Sequence, residues 1–220
     1  MTNQKTKAMK KYTLTCFFII LYILINSDNV YSQDNKRAYH WFFGVNAGLD
    51  FSSGTPVPTN TGQIYHSGGE GTACISDNSG NLLFYTNGGG RDPSCSGGQP
   101  EGQIWDANHS VMPNGTMLGH EGGGMSSRQS SIIFPKPGSS DVYFLFTMAE
   151  VEEMTGTGIC ATDGFYGLSY FEIDMTLNGG NGDVSLWEQE LLHPSNEGLD
   201  ATVHSNGTDY WVVCQEKMAL

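Results

Sequence analysis

Residues 69–89 read GEGTACISDNSGNLLFYTNGG, two short apolar runs on either side of a turn that carries Gly80. An antiparallel strand with one wet face alternates apolar and polar residues. The run LLFYT does not. Simple alternation sends Leu82 and Phe84 to one face and Leu83 and Tyr85 to the other, so both faces are apolar. VYFLF (142–146) and YWVV (210–213) have the same character. Strands of this kind belong to a sheet that is covered on both sides.

Working outward, the hairpin repeats. ACISDNSGNLLFYT ends at Thr86; SIIFPKPGSSDVYFLFT has Gly138 in its turn and ends at Thr147; ATVHSNGTDYWVVC has Gly207 in its turn and ends at Cys214. A second correspondence follows the first two hairpins, IWDANHSVMPNG and YFEIDMTLNGG, each a strand followed by an Asn-Gly turn signal. Glycines, 29 in all, sit in clusters between runs rich in Val, Ile, Phe, Tyr and Trp, and no convincing amphipathic helix follows residue 33. The expected class is all-β. A radial array sandwiches each blade between its neighbours, so the expected architecture is a partial β-propeller with WD-repeat-like blades of antiparallel strands. A β-sandwich is the alternative, although its outer faces would be more polar. Residues 33–220 hold about two full blade units plus a truncated third, with WFFGVNAGLDF as a lead-in, against the roughly four to eight blades of closed propellers. The expectation is that the chain is a fragment, or that other domains of a longer chain complete the ring.

The first 32 residues read as a signal peptide. Lys5, Lys7, Lys10 and Lys11 precede YTLTCFFIILYILI, and Val30 and Ser32 are small enough to place cleavage between Ser32 and Gln33. The apolar run is short of the ~18–20 residues a spanning helix needs, so no transmembrane segment is expected after cleavage. The leader accounts for four of the 10 basic and one of the 23 acidic residues, leaving a strongly acidic domain. Such a surface repels nucleic acid and anionic membranes, and it excludes nucleic acid as a partner. Export permits disulfides. Cys95 and Cys160 lie in irregular glycine-rich stretches, whereas Cys74 and Cys214 lie in apolar runs that read as strands. A Cys95–Cys160 bridge is expected, and on a chain-entropy argument it would stabilise by about 4 kcal/mol. Four buried thiols are the alternative.

WFFGVNAGLDFSSGTPV, GTACISDNSGNLLFYTNGG, IWDANHSVMPNGTMLGH, QSSIIFPKPGSSDVYFLFT, GLSYFEIDMTLNGGNGDV and NGTDYWVV together resemble the N-terminal region of large secreted surface proteins of gliding Bacteroidetes-type bacteria. The resemblance spans nearly all of residues 41–213. It implies a propeller region, further immunoglobulin-like or PKD-type modules, type IX secretion, and display at or release from the cell surface. This chain departs from the pattern in lacking a C-terminal sorting domain. The resemblance carries over no catalytic residues.

Nothing in the sequence spells an enzyme. No G-x-S-x-G elbow occurs, and His40, His66, His109, His120, His193 and His204 form no metal-ligand spacing. His204 reads as a cap for the HSNGTD turn. SDNSGNLLF is a faint, imperfect match to the aspartate box of sialidase-type propellers. No cofactor is expected; the one metal alternative is a structural calcium at DNSGN or NGGNGD, and turn formation explains both stretches without it. Trp41, Trp105 and Trp187 are the aromatics that could stack on sugars, with packing between blades as the plainer fate. The function expected is non-enzymatic: an exported, extracellular or outer-surface module for adhesion, gliding motility or other binding, with a glycan or protein as ligand. The alternative is a secreted carbohydrate-active or other hydrolase on a propeller scaffold.

Overall fold

The computed structural model describes residues 36–44, 46–64, 71–89, 102–118, 127–148, 167–192 and 195–216. All of them fall in the compact unit that spans residues 36–220. The leader, the cleavage point at Ser32 and Gln33, and both Cys95 and Cys160 lie outside the described residues.

The chain is all-β. Thirteen strands are described: β1 (His40–Phe43), β2 (Ala47–Asp50), β3 (Val57–Thr59), β4 (Ala73–Ser76), β5 (Leu82–Thr86), β6 (Gly102–Asp106), β7 (Val111–Leu118), β8 (Ser131–Pro135), β9 (Val142–Met148), β10 (Leu168–Asp174), β11 (Asp183–Leu192), β12 (Ser195–Val203) and β13 (Tyr210–Glu216). They form four antiparallel sheets, each hydrogen-bonded in chain order: β1-β2-β3, β4-β5-β6-β7, β8-β9-β10-β11 and β12-β13. The repeating unit is therefore a hairpin followed by two further strands. WFFGVNAGLDF is more than a lead-in, because with β3 it makes a sheet of its own. Pro58, Pro113 and Pro135 lie in β3, β7 and β8, which are edge strands, where a missing N–H breaks no central ladder.

The three repeated hairpins turn as their glycines require. Gly80, Gly138 and Gly207 have φ of 94°, 79° and 75°, a region that costs a side chain strain and costs glycine none. In the first turn the Asp77 and Asn81 main chains bond across the loop (N–H to O, 2.8 Å), and Gly80 N–H returns to Asp77 O. The second correspondence holds less evenly. Asn178–Gly179 does lie in the turn between β10 and β11, but Asn114–Gly115 sits inside β7. There Asn114 takes φ 55° and the pairing to β6 slips, so this Asn-Gly is a strand irregularity and no turn.

The alternation in β5 also differs from the simple reading. Ile75 pairs with Phe84 but Ser76 pairs with Leu82, which leaves Leu83 as the extra residue of a bulge. Leu82 consequently packs with Tyr85, and Leu83 with Phe84. A one-residue slip exchanges faces. As a result Thr86 and Thr147, at matching ends of the repeat, do not point the same way in the stack. Thr86 faces the third sheet and Thr147 faces the second.

The sheets stack face to face through three apolar seams. Phe42, Ile64, Tyr85 and Trp105 fill the seam between the first and second sheets. Ile75, Phe84, Ile104 and Met112 meet Tyr143, Leu145, Phe171, Ile173 and Val184 between the second and third. Phe134, Phe146, Met148 and Leu168 of the third sheet meet Leu199 of the fourth, with Phe144, Tyr170, Tyr210 and Val212 around them. Along β9 the neighbours alternate residue by residue: Tyr143 and Leu145 face the second sheet, Phe144 and Phe146 the fourth. The both-face burial read from VYFLF is thus present. The leading strand of each sheet lies against the next, β1 by β4, β4 by β8 and β8 by β12, while the last strands β7 and β11 also meet. β4, β8 and β12 run the same way, so the second, third and fourth sheets send their short turns to one end; β1 runs opposite to β4, with His40 beside Ser76 and Phe42 beside Cys74, and the turn between β1 and β2 lies at the other.

Candidate functional site

The densest set of polar and aromatic side chains lies where the first sheet meets the second. Alternation along β1 turns Phe42 inward, and its N–H donates to Cys74 Sγ (3.1 Å) on β4. Burial pushes the Cys74 thiol up to about 12, with the Phe42 carbonyl as its acceptor at 3.8 Å. The Tyr85 ring stacks on Trp105 at 5.3 Å and leans on Phe42 at 4.4 Å. Its hydroxyl accepts from Gln63 N–H (3.0 Å) and lies 3.1 Å from His109 Nδ1. His109 reaches it because the turn between β6 and β7 places this residue at φ 61°, with Asp106 Oδ1 accepting from the Asn108 and Ser110 N–H groups. Desolvation lowers the His109 pKa, and Phe42 meets the ring edge-on at 5.4 Å. His109 is a half-buried part of the seam and no surface histidine.

A second group includes the residue types of a hydrolase triad. His40 Nδ1 lies 3.0 Å from Ser76 Oγ, and His40 Nε2 lies 3.8 Å from Asp50 Oδ1. Asp50 is held below the usual carboxylate range by the Ser52 N–H at 2.7 Å. The chemistry does not follow from the inventory. Ser76 is 0% exposed, so no acyl group can approach its hydroxyl. Its carbonyl faces Arg37 Nη1 at 3.5 Å, and the same nitrogen donates to Tyr143 OH at 3.3 Å. These bonds tie the first, second and third sheets together at the turn end. Among the described residues this constellation is a clamp, and sequence reading missed it because its bonded pairs are 10 to 106 positions apart and only sheet pairing and stacking bring them together.

The two stretches expected to offer calcium ligands use their oxygens elsewhere. Asp77 accepts from the Ser79 and Asn81 N–H groups (2.7 and 2.9 Å) and from Asn81 Nδ2 (2.9 Å). In NGGNGD, Asn181 Oδ1 accepts from Asn108 Nδ2 (3.0 Å) and Asp183 Oδ1 from Asn114 Nδ2 (2.9 Å), which pins the third sheet to the second. Among the described residues no group of three His, Cys, Asp or Glu side chains is placed to hold a metal ion.

Of the tryptophans, Trp105 is buried in the first seam, while Trp41 and Trp187 are exposed. Trp211, which sequence reading counted as seam material, is the most exposed of the four at 58%. His204 caps its turn as expected, its Nδ1 accepting from Asn206 N–H (3.2 Å). Cys74 and Cys214 are free thiols on strands, and His66, His120 and His193 lie outside the described residues. No described helix is long and apolar enough to cross a membrane. Comparison with family models, with curated proteins and with solved structures finds no match.

Proposed function

We propose that this chain is part of a secreted β-propeller surface protein, non-enzymatic, that serves extracellular binding in adhesion or gliding motility. The observation that carries the reading is the succession of leading strands, β4 by β8 by β12, parallel to one another and each the first strand of an antiparallel sheet stacked on the next, with β1 laid antiparallel against β4. Blades around a common axis have that order, since the first strand of each lies innermost. Continuation of the array accounts for the aromatic side chains left bare on the two outer faces, Trp41 and Phe43 on one and Trp211 on the other.

Binding belongs to segments that connect the strands, since connections carried on a rigid sheet scaffold are the usual platform for recognition. Type IX secretion and surface display belong to the same proposal and rest on the sequence resemblance. The acidic surface favours neutral glycans or basic protein patches over nucleic acid or anionic lipid. A structural calcium, if held, would need ligands beyond the two stretches weighed above.

The test uses the protein purified from its own culture medium and a strain that lacks it. Attachment and spreading on glycan- and protein-coated surfaces should fall in the deletion strain and return with the purified protein, and a panel of polysaccharides and peptides should show no turnover. Catalytic turnover that purifies with the protein would move the assignment to a hydrolase on the same scaffold.

A further inference from the structure

The seam between the second and third sheets changes character along its length. Over most of it Ile75, Phe84, Ile104, Leu145, Phe171 and Ile173 meet as an apolar layer. At the end away from the short turns the third sheet presents hydroxyls instead. Ser131 pairs with Thr147 and Thr147 with Ser169, so the three stand side by side on β8, β9 and β10. Alternation puts them on the face of Ile133, Leu145 and Phe171, toward the second sheet. They are 0–1% exposed, and none of the three hydroxyl oxygens has a hydrogen-bond partner among the described residues. Ser127, just before β8, is in the same condition.

The second sheet does not supply the missing partners. On the face and at the end in question it presents Ala73, Thr86 and Gly102, two of which carry no polar side-chain atom. The Thr86 hydroxyl donates to Gln103 O (2.7 Å) and accepts from Gly88 N–H (3.1 Å). Ser130, the neighbouring hydroxyl, bonds across the seam to the Gly71 carbonyl, so a hydroxyl here can be satisfied where an acceptor is in reach. A buried hydroxyl left without a partner is costly, and native proteins complete such groups.

We propose that this end of the seam is a binding site for ordered water: a short row of buried molecules bonded to Ser131, Thr147 and Ser169. The choice of ligand follows from the lining. Hydroxyls both donate and accept, none of the six facing residues is charged, the carboxylate next in the row, Glu190 beside Ser169 on β11, is exposed, and full burial of the three hydroxyls admits only something small. Buried water with two to four polar partners meets all three conditions. The row would make this seam part wet and part dry, in contrast to the aromatic seam before it.

The test is made on the secreted protein. Thr147→Val keeps the side-chain shape and removes the hydroxyl; Ser131→Ala and Ser169→Ala do the same for their neighbours. Two quantities are read: the thermal midpoint, and the number of long-lived internal waters from oxygen-17 magnetic relaxation dispersion. The expected result is that the triple variant loses long-lived waters and that Thr147→Val lowers the midpoint, whereas Thr147→Ser, which keeps the hydroxyl, retains the waters. If the triple variant does not fold, the Thr147→Val and Ser169→Ala single variants carry the same reading. A rise in the midpoint with the water count unchanged would overturn the proposal, because it would mean a dry seam relieved of an unsatisfied group. So would a lower midpoint with an unchanged count, which would assign the partner to a protein group.

Discussion

The third sheet and the fourth carry strands of the same kind and meet different fates. In β9, Leu145 is buried against the second sheet and Phe146 against the fourth. In β13, Val212 packs on the third sheet while Trp211 and Val213, on the opposite face, are 58% and 62% exposed. The strand sequences are alike, apolar on both faces. What differs is the neighbour. A strand of this type is prepared for two partners, and whether it has both depends on the sheets beside it. The first sheet repeats the lesson at the other end, with Phe42 in its seam and Trp41 and Phe43 bare.

The sharpest way to break the comparison is to put a charge on each face of β9. Leu145→Asp and Phe146→Asp should both abolish cooperative thermal unfolding, because an unpaired carboxylate on either face exceeds the roughly 5–15 kcal/mol that holds a domain together, or comes close to it. A sheet with one wet face would tolerate one of the two.

Next in size are the turn glycines. A Cβ on Gly80 would come 2.6 Å from the Tyr39 ring, whereas one on Gly138 or Gly207 would meet nothing within 4 Å. All three have positive φ, so Ala at any of them costs about 1 kcal/mol in backbone strain. Gly80→Ala adds a steric clash and should cost about twice as much or more in urea denaturation. Equal losses at the three positions would show that the segment before β1 does not pack on the first hairpin.

The first seam should be sensitive to base. Desolvation raises Cys74 from 9.0 to about 12 and Tyr85 from 10.0 to about 12. Both are acids bound more tightly to their protons when folded, so their contribution is complete below pH 9 and declines as the pH rises from 9 to 12. The melting temperature should fall across that window, and Cys74→Ala should flatten the early part of the decline. The smallest effect is expected at the bare end. In residues 33–220 alone, Trp211→Ser should change stability by no more than about 0.5 kcal/mol in the same denaturant titration, as exposed positions do.

The sequence made the hairpins legible because the turn glycines and the two-faced apolar runs are local signals. It hid whatever depends on pairing. The Leu83 bulge cannot be seen without the register of β4, and it reverses the faces of Leu82 and Leu83. The first sheet was hidden by a three-residue strand, Val57–Thr59, with a proline in its middle. Asn114–Gly115 has the signature of a turn and lies within a strand. Ser131, Thr147 and Ser169 are polar residues at strand ends, and nothing local in the sequence marks them as buried. The clamp of His40, Asp50, Ser76 and Arg37 exists only because separate sheets meet. Trp211 reads like Trp105, and only the missing neighbour tells them apart.

The measurement that bears most directly on the central claim is a side-chain-resolution structure, by crystallography or cryo-electron microscopy, of the purified protein. The account predicts β4, β8 and β12 side by side and parallel around one axis, with further sheets covering Trp41 at one end of the array and Trp211 at the other. A closed two-layer sandwich, in which one face of β4–β7 or of β8–β11 looks into solvent, would contradict it.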